Sequence, residues 1–247
     1  MRDVVVIIPA RFASTRFPGK PLAVIAGKPM IQWVHERAKS AVSRVIVATD
    51  DARIADAVRG FGGEVAMTRA DHANGTSRLA EVAATLHEDV IVNLQGDEPG
   101  LEPALIGSAV AALRAAGRTV PIATLASPFA PGEDPADPNL VKVVLDRRGR
   151  ALYFTRSHIP FDRDRAQREA SAAPLRHIGL YAYRRRFLQT FVELESTPLE
   201  RTEQLEQLRA LEHGYPIAVA VVESHSHGID TPEQLKAFEQ ALRRGSS

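Results

Sequence analysis

Val4-Val5-Val6-Ile7-Ile8 runs without a break into Pro9-Ala10-Arg11. Five β-branched residues in a row, with no polar alternation, read as a strand covered on both faces. Arg44–Thr49 (RVIVAT) and Asp89–Leu94 (DVIVNL) repeat the pattern, and Glu64–Thr68 is a shorter strand. Helical signals lie between them. Pro29 suits a first turn, and Ile31, Val34, Ala38 and Val42 form one apolar stripe. Asp51–Gly60 is stopped by glycine, and Thr76–Leu86 carries Leu79, Val82, Ala83 and Leu86 at helical spacing. Strands alternating with helices imply a mostly parallel central sheet with helices on both faces, the α/β class.

From about Ser127 the texture changes. Pro128, Pro131, Pro135 and Pro138 crowd a loop, followed by strand-like Leu140–Leu145, Ala151–Phe154 and Ile178–Tyr183. This reads as a smaller antiparallel insert over 127–190, attached to an α/β core made of 1–126 and 191–247. The core pattern resumes with a helix at Thr202–His213, a strand at Ile217–Val222 and a last helix after Pro232.

At 247 residues the chain can bury a real core without staples. Hydrophobic residues at 45% and charged residues at 25% exclude a disordered chain, a collagen-like repeat and a coiled coil. Lys and Arg number 31 against 30 Asp and Glu, so no basic excess points to nucleic acid. With no Cys, disulfides, thiolate zinc, iron–sulfur clusters and a cysteine nucleophile are all excluded. Val4–Ile8 is too short for a signal-peptide core, and no apolar run approaches a membrane span. A cytoplasmic protein with no membrane partner is the expectation.

In a parallel sheet, ligands bind beyond the carboxyl ends of the strands. The first such end continues as Pro9-Ala-Arg-Phe-Ala-Ser-Thr-Arg-Phe-Pro-Gly-Lys-Pro21, which confines Arg11, Arg16 and Lys20 with Ser14, Thr15 and Gly19. Cations, hydroxyls and loop N–H groups are what phosphate oxygens require, and a solvated basic loop is the competing reading. The loop is neither a Walker A sequence nor a dinucleotide fingerprint, because Ser14 and Pro21 break the first and no G-x-G-x-x-G follows the strand. Asp97 and Asp230 follow later strands. Each reads either as a hard-cation ligand or as a turn or helix cap, and Asp50 shares the ambiguity. His225-Ser226-His227 reads as solvated loop histidines rather than a metal site. His177 and Tyr181 share a strand face as a core-edge pair or a ligand pair, and Lys142 is expected to point to solvent.

The loop 9–22 resembles the N-terminal signature of the sugar-acid cytidylyltransferases. The similarity continues through Thr68–His72, Val92–Pro99, Asn139–Val144, Ala151–Pro160, Arg176–Tyr181, Leu205–Arg209 and Gly228–Pro232, in order along nearly the whole chain. The fold this implies is the Rossmann-like nucleotide-diphospho-sugar transferase fold. The reaction it implies joins CTP to 3-deoxy-D-manno-octulosonate (Kdo), for lipopolysaccharide assembly. The sugar's anomeric hydroxyl attacks the α-phosphorus in line, with Mg²⁺ as cofactor and pyrophosphate as leaving group.

By the family pattern, Pro9, Ala10, Arg11, Ser14, Arg16 and Lys20 hold the nucleotide's phosphate side, and Ala70, His72 and Arg78 line the cytidine site. Asp97 and Asp230 hold the metal and join Arg11, Arg16 and Lys20 as the catalytic set. Gln95, Arg156, His177, Tyr181, Glu206 and Gln207 form the sugar side, with Arg156 as the bidentate partner of the sugar's carboxylate. A homodimer is implied, with 127–190 as the candidate contact. Two residues depart from the pattern. Ser77 stands where an acid would order Arg78, and Phe161 stands where a tryptophan would pack, keeping the apolar contact. The rival readings are a cytidylyltransferase for an 8-amino analogue of Kdo or for sialic acid, and a nucleotide-sugar binder without turnover.

Overall fold

The apolar run becomes the strand β1 (Val4–Pro9), and Val4 through Ile8 are no more than 1% exposed. The computed structural model describes residues 1, 3–13, 17–161, 163, 173–224 and 228–245. After β1 come a short hairpin, β2 (Val24–Ile25) and β3 (Lys28–Pro29), then α1 (Met30–Ala41), β4 (Arg44–Thr49), α2 (Ala52–Gly60), β5 (Glu64–Met67), α3 (Gly75–Ala83) and β6 (Val90–Asn93). The chain continues through α4 (Ala104–Ala115), β7 (Ile122–Pro128), β8 (Lys142–Leu145), β9 (Ala151–Thr155), β10 (Leu175–Arg184) and α5 (Arg185–Glu193). It ends with α6 (Pro198–Glu203), α7 (Gln207–Glu212), β11 (Ile217–Val221) and α8 (Pro232–Gly245).

Two compact units divide the chain. One comprises Met1–Gly107, Arg184–Val192 and Ser226–Ser247; the other comprises Ser108–Tyr183 and Glu193–His225. The expected insert thus contributes β8, β9 and most of β10 to a unit that also takes in β7, α6, α7 and β11.

In the first unit four strands run parallel in the order β6-β1-β4-β5. Ile7 pairs with Asn93 and Pro9 with Ala48, so the strands end together. The loops after β1, β4 and β6 therefore leave one edge of the sheet, where a parallel sheet presents its ligand crevice. Beside this sheet, Ile25, Met30 and Ile229 are buried together, packed by Trp33, Leu235, Phe238 and Leu242. Trp33 donates its indole N–H to the Ile25 carbonyl at 2.9 Å, which ties the hairpin to α1.

The second unit is mostly antiparallel. β10 pairs antiparallel with β7 and β8, and β8 with β9, while β11 runs parallel to β7. Three expectations need correcting here. Lys142 does not reach solvent: it is fully buried on β8, donating to the Asp137 carbonyl at 2.9 Å and the Arg156 carbonyl at 2.5 Å. Carbonyls outside the strand ladders take the place of water around its ammonium. The helix expected over Thr202–His213 is two helices, because Gln204 adopts a left-handed φ of 54° and ends α6. Phe161 is 86% exposed rather than packed.

The position of β1 at the centre of its sheet sets a stability expectation. Ile7→Ala should cost about 2–5 kcal/mol in urea unfolding, while Leu152→Ala, at a residue 61% exposed, should stay within about 0.5 kcal/mol.

Candidate functional site

At α2, α3 and α8 the capping is done by residues other than the candidate carboxylates. At α2 the cap is Asp51, whose Oδ1 accepts from the Arg53 N–H at 2.9 Å, rather than Asp50. At α3 it is Asn74, accepting from the Ser77 N–H at 2.8 Å. Ahead of α8, Gln234 Oε1 accepts from the Thr231 N–H at 3.1 Å, and Thr231 Oγ1 accepts from the Gln234 N–H at 3.3 Å. That reciprocal pair is a capping box, so Asp230 is not needed as the cap.

Asp230 is instead drawn to Asp97. The Ile229 N–H donates to the Asp97 carbonyl at 2.8 Å, and Ile229 is buried against Ile25 and Met30. Lys20 then joins the two carboxylates: its Nζ lies 2.6 Å from Asp97 Oδ2 and 3.1 Å from Asp230 Oδ1. A cavity of about 210 Å³ opens on this trio, lined by Pro9, Ala10, Arg11, Pro21, Gln95 and Gly96 as well. A Cβ at Gly96 would crowd the Pro9 carbonyl oxygen at 3.2 Å.

The loop carrying Lys20 is closed at its base. The Gly19 N–H, at a φ of 71°, donates to the Phe12 carbonyl at 2.9 Å. The Arg53 guanidinium lies 3.3 Å from the centre of the Phe12 ring and is itself gripped by both oxygens of Asp51.

A second cavity, of about 130 Å³, shares Pro9, Ala10, Arg11 and Gln95 with the first and adds His72, Asn74, Gly75 and Arg78. His72 is held at both nitrogens, Nδ1 by Ser77 Oγ at 3.1 Å and Nε2 by Glu81. That hydrogen bond holds the Glu81 carboxyl below its usual pKa. Arg78 is buried, donates to Thr68 Oγ1 and pairs with Asp50 at 3.1 Å. The acid missing at position 77 is thus not needed to order Arg78: Asp50 takes that part, and Ser77 orders His72. Ala70 is exposed and lines neither cavity.

The second unit holds the other cluster. His177 lies edge-on to Phe154 at 4.9 Å and tilted against Tyr181 at 5.4 Å, and Tyr181 stacks on Tyr183. Burial pushes the His177 pKa down to about 3. Burial, and after it the charge of Glu206, pushes the Tyr181 phenol up, so Glu206 belongs to the same neighbourhood. Gln207 is buried next to it on α7.

Arg156 is held by backbone carbonyls. Its Nε donates to the Glu203 carbonyl at 2.8 Å, Nη1 to the Pro138 carbonyl at 2.9 Å and Nη2 to the Gln204 carbonyl at 3.5 Å. Glu203 accepts in turn from Thr155 Oγ1 at 2.6 Å and the Arg156 N–H at 2.9 Å.

Ser14 and Arg16 lie outside the described residues, as do His225, Ser226 and His227. Sequence reasoning missed Asn74, Gly75 and Gly96 as wall residues, and Asp50, Glu81, Thr124 and Glu203 as partners of site side chains. Asn74 and Gly75 carried a readable signal, an Asn-Gly pair at a helix start. Asp50, Thr124 and Glu203 carried none, since each acts across the fold, while Glu81 lies only nine residues from His72.

The cytidylyltransferase family model matches residues 5–222. A 3-deoxy-manno-octulosonate cytidylyltransferase of Syntrophotalea carbinolica is 55% identical over 98% of this chain and 99% of its own. One of Syntrophobacter fumaroxidans is 56% identical over 97% and 96%. The solved CMP:2-keto-3-deoxy-manno-octonic acid synthetase complexed with CTP is 43% identical, with a TM-score of 0.91 over 98% of this chain and 99% of that one. The chain belongs to the cytidylyltransferase family, as the order of its motifs implied, and it is a nucleotidyltransferase of the α/β class.

Proposed function

We propose that the chain transfers CMP from CTP to the anomeric hydroxyl of Kdo, releasing pyrophosphate. The observation that carries this reading is Lys20 bridging Asp97 and Asp230 at the floor of a cavity that Arg11 also lines. One ammonium against two carboxylates leaves that trio net negative, a poor place for a bare triphosphate and a good one for a cation that arrives with it.

The donor set fits Mg²⁺. Two carboxylate oxygens already share a cation, and Mg²⁺ is commonly held by one or two carboxylates together with substrate phosphate oxygens. Among the described residues no group of three or more His, Asp or Glu could hold a metal, which suits an ion completed by the nucleotide. Bound at Asp97 and Asp230, Mg²⁺ would neutralise charge on the departing pyrophosphate.

The chain's own groups do the rest. Arg11 and Lys20 meet phosphate oxygens, with Pro9 and Ala10 lining the same cavity, and the family pattern adds Ser14 and Arg16 to that set. His72, fixed by Ser77 and Glu81, and Arg78, fixed by Asp50, wall the nucleoside end, with Ala70 nearby in the chain. Gln95 lines both cavities. For the sugar acid, His177, Tyr181, Glu206 and Gln207 offer polar groups on a largely desolvated surface. Arg156 has five N–H donors, three of them given to backbone carbonyls, which leaves the remainder for the carboxylate. The reaction needs no covalent intermediate, because the attacking hydroxyl comes from the second substrate. A homodimer in contact through 127–190 belongs to this reading, as does a place in the cytoplasm where CTP is made.

Mg²⁺-dependent pyrophosphate release should require CTP and Kdo together. Tight CTP binding with no release in the presence of Kdo, but release with an 8-amino analogue or sialic acid, would move the assignment to that acid. Silence across all three acids would leave a binder without turnover.

Asp97→Asn should lower kcat by about a hundredfold or more while calorimetry still detects CTP binding. Full activity in that variant would remove Asp97 from the metal site. Asp50→Asn should raise KM for CTP by about tenfold with KM for Kdo unchanged, because a buried Arg78 loses its charge partner. An equal rise in both constants would count against a nucleotide-side role.

A further inference from the structure

β10 contains an irregularity with a chemical consequence. Its antiparallel pairing with β7 matches Ile178 to Leu125 and then Tyr181 to Thr124, so Gly179 and Leu180 have no residue opposite them on β7. A bulge of this kind turns backbone carbonyls out of the ladder, and buried carbonyls must find a donor elsewhere. Here the donor is a side chain. Thr124 is fully buried on β7, and its Oγ1 lies 2.8 Å from the Leu180 carbonyl oxygen and 3.1 Å from that of Ile178.

The same hydroxyl lies 2.9 Å from His177 Nε2. A hydroxyl has one proton, and a carbonyl oxygen can only accept. If that proton went to His177, two carbonyl oxygens would face only lone pairs of the hydroxyl. If it goes to a carbonyl, Thr124 Oγ1 presents only lone pairs to the ring, and His177 Nε2 must be the nitrogen that carries hydrogen. The second arrangement gives the hydroxyl proton a carbonyl acceptor and the ring proton the hydroxyl oxygen. A neutral imidazole has a single N–H, so Nδ1 is then a lone-pair acceptor. The depressed pKa of the desolvated ring keeps it neutral at physiological pH. Phe154 and Tyr181 hold the ring plane.

We propose that Thr124 is a positioning residue that sets the His177 tautomer, so that Nδ1 accepts a hydroxyl hydrogen from the polyhydroxylated acid. This rests on the reading of His177 as part of the Kdo site. The consequence is selectivity: a site built to accept a hydroxyl hydrogen discriminates strongly against an acid that lacks the hydroxyl.

Nitrogen-15 NMR of the histidine rings in the full chain tests the assignment. The wild-type protein should show His177 protonated at Nε2, and adding Kdo should shift Nδ1 more than Nε2. Thr124→Val should move His177 toward the other tautomer and raise KM for Kdo about tenfold, with KM for CTP unchanged. Thr124→Ser should restore both the tautomer and KM. A wild-type ring protonated at Nδ1 overturns the proposal whether or not Thr124→Val folds. So does a Thr124→Val enzyme whose tautomer or KM for Kdo is unchanged. Absence of Kdo-dependent pyrophosphate release from the wild-type enzyme would instead overturn the reading of the reaction, and the wild-type spectrum would still report the tautomer.

Discussion

One ammonium group shared between two carboxylates organises the nucleotide side of this enzyme. Asp97 and Asp230 lie 77 and 210 residues from Lys20 in sequence, and an unscreened pair of carboxylates so near each other would repel. The fold overcomes that repulsion by backbone means: the Ile229 N–H on the Asp97 carbonyl and the buried Ile229 side chain hold the last loop down on the loop after β6. The parallel register that ends β1 and β6 together brings the first loop to the same edge.

That arrangement depends on who caps the helices. A carboxylate at the carboxyl end of a strand, just before a helix, is ordinarily drawn to the helix's N–H groups. Here the residue after it takes that task, Asp51 beside Asp50 and Thr231 beside Asp230. The side chain left over turns to another partner, Arg78 or Lys20. Pairing a capping residue with a functional one places two polar side chains where a purely structural turn would need only one.

The same pairing explains what could be read from the chain beforehand and what could not. The α/β class followed from β1, β4 and β6, because buried strands announce themselves by continuous β-branched runs. Arg11, Lys20 and Asp97 followed from their place after those strands. Spacing alone left Asp230 between cap and ligand, since the distinction turns on whether Thr231 and Gln234 bond reciprocally, a matter of backbone geometry. The motif points to the adjacent residue to order Arg78, and Ser77 cannot supply a charge there. Its actual partner, Asp50, is contributed by another strand. The break between α6 and α7 is invisible in the sequence because a left-handed Gln204 has no mark as clear as glycine.

Lys142 and His177 show the deeper reason. A lysine in a strand defaults to solvent and a strand histidine to the edge of the core, because burying either unpaired is costly. Both are nonetheless desolvated here, and both are satisfied by backbone that has left regular structure: loop carbonyls at Asp137 and Arg156 around Lys142, and a bulge at 178–181 reaching His177 through Thr124. Side-chain periodicity describes regular ladders, in which every carbonyl already has its partner. Where the ladder breaks, carbonyls become ligands for buried cations and set the proton positions of nearby rings. In this unit the irregular backbone is therefore the source of the polar chemistry that a regular sheet would have cancelled.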